Sequence, residues 1–225
     1  MHGFESHTFL VRVDAVTLAA PRATFVDDLE FLIARGVRPI VVASQPELAR
    51  EYVRAINRHG NVAVGLCGSD AALLPAASSD SLGAVQTRIL TTLLDAGYVP
   101  VIEPTALNLA GEAIDVNADD VAAAIAAATE ARRAIFFSEA GGVVDPASAQ
   151  LISELTPAEA LVLADRDDFE AALRQTVRAA AHGVRGGVGA AQIVDGRVAH
   201  AAIVEFLTAC HLGTQVTGGV FVATA

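Results

Sequence analysis

Lysine is absent: all 15 basic residues of this 225-residue chain are arginine. That absence excludes Schiff-base chemistry through an ε-amine and any phosphate clamp built on lysine. Cysteine is nearly absent as well. Cys67 and Cys210 are too few and too far apart for a disulfide framework, which fits a reducing compartment. No apolar run reaches membrane-spanning length, because Arg132 and Arg133 end the alanine-rich stretch and Glu205 interrupts the C-terminal one. The opening MHGFESHTF lacks a basic segment followed by an apolar one, so no secretory signal is expected. Positive charge is scarce, and the formal net charge of −11 makes polyanionic nucleic acid an unfavourable partner. The expectations are a cytoplasmic location, no membrane and no nucleic acid. His182, His200 and His211 share no metal-ligand spacing, so no metal site is expected.

What is abundant is small and apolar: 53% of residues are hydrophobic and 18% charged, a composition suited to a parallel sheet buried between helix layers. Thr8–Val13, Pro39–Ala43, Asn61–Leu66, Tyr98–Ile102, Ala134–Phe137 and Gln192–Val194 read as strands. Helical spacing connects them, with Phe25, Leu29, Leu32 and Ile33 before Gly36, then Pro46–His59, Leu82–Ala96, Ala118–Glu130, Phe169–Ala181 and Ala199–Cys210. Thr156-Pro157-Ala158-Glu159 has the pattern of a capping box with proline at the first helical position. Ala72–Gly83 is small and polar and reads as a flexible loop, and the C-terminal Val/Thr stretch reads as a strand. Alternation of this kind predicts one α/β domain over residues 1–225, with no internal repeat and no linker.

The second half carries GYVPVIEP, GEAIDVNADDVAAAIAAA, AIFFSEAGGVVD, ISELTPAEA and QIVDGRVAHAAIVEFLTACHLGT in that order, preceded by INRHGNVAVGLCGSDAAL. Together these segments resemble the acetylglutamate kinase branch of the amino acid kinase family, most strongly from Gly97 to Thr214. The resemblance implies a three-layer α/β/α sandwich with an about eight-stranded, mainly parallel sheet. It further implies an N-terminal lobe, to about residue 105, on the amino acid side and a C-terminal lobe, from about 106, on the nucleotide side. The chemistry it implies is transfer of the ATP γ-phosphoryl group to a side-chain carboxylate, and a homodimer paired through a central helix and strand.

Phosphoryl transfer needs cations and backbone cradles. The family supplies a lysine and Gly-Gly at the end of the first strand, where this chain has Arg12, Asp14 and Ala15. Its second glycine loop corresponds to Ala43-Ser44-Gln45-Pro46, and a segment that builds its amino acid pocket is omitted before Asn57. Its second lysine should fall near Asp168–Arg174, where Arg174 is the nearby cation. The resemblance carries over Asp119 as the aspartate that organises the catalytic cations, so Asp119, Arg12 and Arg174 are the catalytic candidates. Asn117, Asp115, Gly65 and Gly68 are candidates for substrate contact, and Ser138, Glu139 and Gly142 for nucleotide contact.

Each has a plainer reading. Asp119 and Asn117 suit a helix start, Arg12 suits a buried ion pair with Asp14, and Gly65 and Gly68 suit turns. Three functions stay open. The leading one is a catalytically lapsed relative that binds a small carboxylated amino acid derivative or a protein partner. A second is an active kinase using Mg-ATP with arginine for lysine, acting on an N-acylated or carrier-bound amino acid. The third is a non-kinase enzyme using Asp119, Asp14 or Cys67 in the same cleft; apart from Mg-ATP in the second reading, no cofactor is expected.

Overall fold

The computed structural model describes residues 7–19, 24–58, 60–145, 147–208 and 210–218. In chain order the strands are β1 (Thr8–Val13), β2 (Arg38–Ala43), β3 (Ala63–Leu66), β4 (Ala76–Ser78), β5 (Ser81–Leu82), β6 (Val99–Ile102) and β7 (Thr105–Leu107), then β8 (Ala113–Asp115), β9 (Arg133–Phe137), β10 (Val143–Val144), β11 (Leu151–Ile152), β12 (Glu154–Leu155), β13 (Ala190–Val194) and β14 (Thr214–Thr217). The helices are α1 (Ala15–Ala19), α2 (Phe25–Ile33), α3 (Pro46–Asn57), α4 (Arg88–Asp95), α5 (Ala118–Ala128), α6 (Pro157–Ala164), α7 (Ala171–Arg185) and α8 (Ala201–Leu207).

Eight strands form one sheet in the order β12-β14-β13-β9-β1-β2-β6-β3. It is parallel apart from β14 and its neighbour β12, since β14 runs against β13. The central strands are buried on both faces, as their near-continuous apolar sequences require. Side chains alternate across β1. Phe9, Val11 and Val13 pack with Leu29 of α2, Tyr52 of α3 and Phe206 of α8. Leu10 turns the other way, toward Val121 and Ile125 of α5 and Val177 of α7. The result is the three-layer α/β/α sandwich that the sequence implies. By the same period of two, Arg12 faces the α5–α7 layer.

Several boundaries depart from the sequence reading. The stretch 72–83 holds the hairpin β4–β5, closed by the Gly83 amide donating to the Pro75 carbonyl at 2.7 Å. The helix expected from Leu82 starts only at Arg88. Leu82 pairs with Ala76 in the hairpin, and the Gln86 amide bonds the Leu73 carbonyl at 2.9 Å, so tertiary contacts hold this segment extended. The short helix α1 has no counterpart in the apolar pattern; Asp14 starts it by accepting the Thr17 amide at 2.7 Å. The helix expected from Phe169 begins at Ala171. The capping box forms as its pattern predicts, with Thr156 and Glu159 bonding each other's backbone amides. Of the C-terminal Val/Thr stretch, Thr214–Thr217 is β14, and residues 219–225 lie outside the described ones.

Candidate functional site

The sheet reverses its winding direction between β1 and β9. Strands β2, β6 and β3 lie on one side of β1, and β9, β13 and β14 on the other. In open α/β sheets, ligands sit outside the carboxyl ends of the strands at such a switch point. Asp14, Ser44, Ser138 and Asp195 follow the carboxyl ends of β1, β2, β9 and β13.

Arg12 lies one residue before the end of β1, between Val42 and Phe136 in register. Its Nε stands 2.6 Å from Oδ1 of Asp119, the second residue of α5, with both side chains largely buried. Neither atom finds an aligned hydrogen-bond partner, so the contact is an ion pair rather than a directed bond. One terminal nitrogen of Arg12 donates to the Phe137 carbonyl at 2.8 Å and lies 4.0 Å from the Asp14 carboxylate. The other Asp119 oxygen accepts from Thr176 of α7 at 2.8 Å. Arg12 and Asp119 thus tie β1, β9, α5 and α7 together.

The remaining candidates are placed around this pair or away from it. Asn117 caps α5, its Oδ1 accepting from the amides of Asp119 at 2.8 Å and Asp120 at 3.2 Å. Asp115 is exposed on β8, opposite Thr105 in the β7–β8 hairpin. Arg174 is not joined to the pair. It donates to the carbonyls of Arg166 at 3.1 Å and Phe169 at 3.3 Å, closing the approach to its own helix. Gly65 lies exposed on the edge strand β3. At Gly68 a Cβ would stand 2.0 Å from the Thr105 carbonyl oxygen, so this glycine serves close packing of two backbone segments.

At the ends of β9 and β13, the Ser138 amide extends the sheet by donating to the Val194 carbonyl at 2.9 Å. Glu139 is exposed, and Arg197 holds its carbonyl at 2.9 Å and approaches its carboxylate at 3.9 Å. Gly142 has φ +148, and a Cβ there would stand 2.6 Å from the Leu151 side chain. Arg197 also grips Asp195 with two 2.8 Å bonds, which hold the Asp195 carboxyl below the usual carboxylate range. Helix α1 lies across this end of the sheet: Thr17 is buried, and a Cβ on Gly196 would stand 2.3 Å from its hydroxyl. Tyr52 anchors the start of α1 by donating to the Asp14 carbonyl at 3.0 Å, and burial raises its phenol pKa.

Sequence reasoning did not find Thr176, Arg197 or the role of Tyr52. Arg197 left one signal, the Asp-Gly-Arg turn, in which the arginine can fold back on the aspartate. Thr176 and Tyr52 left none, since each sits on an ordinary helix face. Among the described residues no group of three or more His, Cys, Asp or Glu side chains could hold a metal ion, and no helix is long and apolar enough to cross a membrane.

Sheet order and layers define a three-layer α/β/α sandwich with a charged pair at its switch point. Residues 48–195 match the sequence profile described as "Amino acid kinase family", and the chain belongs to that family. It is 32% identical over 209 residues to acetylglutamate kinase of Prochlorococcus marinus (strain NATL2A), covering 88% of this chain and 68% of the relative. With acetylglutamate kinase of Thermosynechococcus vestitus it is 30% identical over 269 residues, covering 97% and 90%. That alignment is longer than this chain, so the relative carries segments that this chain omits. Among solved structures, N-acetylglutamate synthase from Neisseria gonorrhoeae with coenzyme A and N-acetyl-glutamate superposes with TM-score 0.77 at 17% identity, over 97% of this chain. This chain spans only 61% of the synthase chain. Carbamate kinase from Giardia lamblia bound to AMP-PNP gives TM-score 0.67 at 11% identity, covering 97% of this chain and 100% of that one.

Proposed function

We propose that this protein is a catalytically lapsed acetylglutamate kinase-like protein that binds a small carboxylated amino acid derivative or a protein partner. The observation that carries the reading is the state of Arg12. Its guanidinium is committed to Asp119, the Phe137 carbonyl and Asp14, leaving no cation there to meet a transferred phosphoryl group. Arg174 is turned to its own backbone and Arg197 to Asp195 and Glu139. The residues at the strand ends therefore do not fit Mg-ATP: carboxylates outnumber free cations, and α1 lies where a ligand would approach. These same placements count against the reading in which Arg12 and Arg174 replace the lysines together.

The test is a calorimetric titration of the protein with magnesium and a non-hydrolysable ATP analogue, alongside an acyl-phosphate assay with N-acetylglutamate. The expected result is no heat at millimolar nucleotide and no acyl phosphate. Micromolar binding with turnover would overturn the proposal. The same proposal includes a homodimer in the cytoplasm, paired through a central helix and strand. A monomer by sedimentation at micromolar concentration would remove that part.

A further inference from the structure

A cavity of about 460 Å³ lies between the β4–β5 hairpin, one face of α5 and the last turn of α7. Its floor is Ala123, Ala124 and Ala127, which follow Asp120 at helical spacing. Ser79 and Asp80 come from the hairpin turn, and His182 from α7. The volume falls in the range of roughly 300–1,000 Å³ typical of small-molecule sites.

Two features decide what such a cavity can hold. Carboxylates elsewhere in the chain are repeatedly neutralised by arginine, as at Asp95, Asp119, Asp165, Asp168 and Asp195. Asp80 and Asp120 have no arginine partner among the described residues. Asp120 receives one amide bond, from Gln175 of α7 at 2.7 Å on Oδ1, and Asp80 only a long 3.4 Å bond from Ser79. The second feature is the floor, which offers methyl groups and no hydrogen-bonding side chain. Burial raises the Asp120 carboxyl, with Asp119 and Asp80 adding to the rise and His182 opposing it, so the charges around the cavity act on one another.

We propose that this cavity binds a short aliphatic diamine, with one ammonium on Asp120, the other on Asp80 and the methylene chain over the alanine floor. The attraction is charge-assisted at both ends, and burial of the methylenes adds the apolar part. Neither Arg12 nor Asp119 is among the lining residues, so the proposal stands or falls independently of the lapsed-kinase reading.

The test is calorimetric titration of the whole chain with 1,4-diaminobutane in low salt at about pH 8, well above the usual carboxylate range. The expected result is saturable one-to-one binding. Affinity should fall about tenfold or more in Asp120→Asn and in Asp80→Asn, and similarly in Ala124→Leu, which fills the floor. Butane-1,4-diol should give no heat. Because Asp120 lies in the first turn of α5, thermal melts accompany each variant. Asp80→Asn, on an exposed turn, gives the decisive comparison if Asp120→Asn is unfolded. No binding at millimolar diamine, or binding unchanged by Asp80→Asn and Ala124→Leu, would overturn the proposal. Neither result would alter the outcome of the nucleotide titration.

Discussion

Replacing Asp119 by alanine tests whether the pair at the switch point supports the fold. The substitution strands the Arg12 guanidinium in a largely buried place and removes the acceptor of the Thr176 hydroxyl. Breaking a buried pair from one side costs about 3–5 kcal/mol. The lower end applies here, because Arg12 retains the Phe137 carbonyl and Asp14 and is 17% exposed. The lost Thr176 bond adds about 1 kcal/mol. A total of about 4 kcal/mol lowers the melting temperature of a domain this size by about 8–16 °C. Thermal and urea unfolding followed by circular dichroism measure it. The double variant Arg12→Met/Asp119→Leu should recover most of the loss, because it removes both charges and leaves apolar volume in their place. A melting temperature within about 1 °C of wild type for Asp119→Ala would refute the reasoning.

Three further predictions concern other parts of the chain. Gly68→Ala places a Cβ against the Thr105 carbonyl and should destabilise by more than about 2 kcal/mol in urea unfolding; a loss below half of that would mean the two segments separate easily. Thr156→Ala removes the reciprocal bonds of the α6 capping box and should cost about 1 kcal/mol, while Thr156→Ser should be near neutral. Asp28 is buried beside His200, and burial holds its carboxyl above the usual carboxylate range despite the lowering effects of His200 and Thr24. A folded-state pKa above the unfolded one favours the protonated form, so this group's contribution is fully present below the unfolded pKa and lost as pH rises through the folded one. The stability of Asp28→Asn relative to wild type should therefore increase between about pH 4 and pH 7; a constant or falling difference in urea midpoints would contradict it.

The central strands were legible because burial on both faces writes them as short apolar runs, and β1 matches its sequence reading residue for residue. The α6 start was legible because a capping box is local chemistry. The β4–β5 hairpin and α1 were not. Each is held by contacts to distant backbone or side chains, such as Gln86 to Leu73 and Tyr52 to Asp14, which leave no periodicity behind. At the site, Arg12 stood out as a charge inside an apolar strand, and Asp14 as a neighbour in sequence. The structure gives Arg12 a different principal partner, Asp119, 107 positions away, which no local pattern connects to it and which only the family resemblance had associated with the cations.

That pairing also bears on how the missing lysines should be understood. A lysine ammonium is a point charge that a carboxylate and a ligand can share, whereas a guanidinium is a planar fork with fixed directions. In this chain the fork of Arg12 is already filled from inside by Asp119 and Phe137, and its outer side meets Asp14. Restoring lysine at position 12 alone would therefore not restore an anion site, because Asp14 and α1 would still stand at the end of β1. On the proposed reading, nucleotide binding should require Arg12→Lys together with Asp14→Gly, the change that removes the carboxylate and uncaps α1. Calorimetry on the single and double variants separates the two cases. Binding in Arg12→Lys alone would place the block in the guanidinium, and binding only in the double variant would place it in the end of the strand.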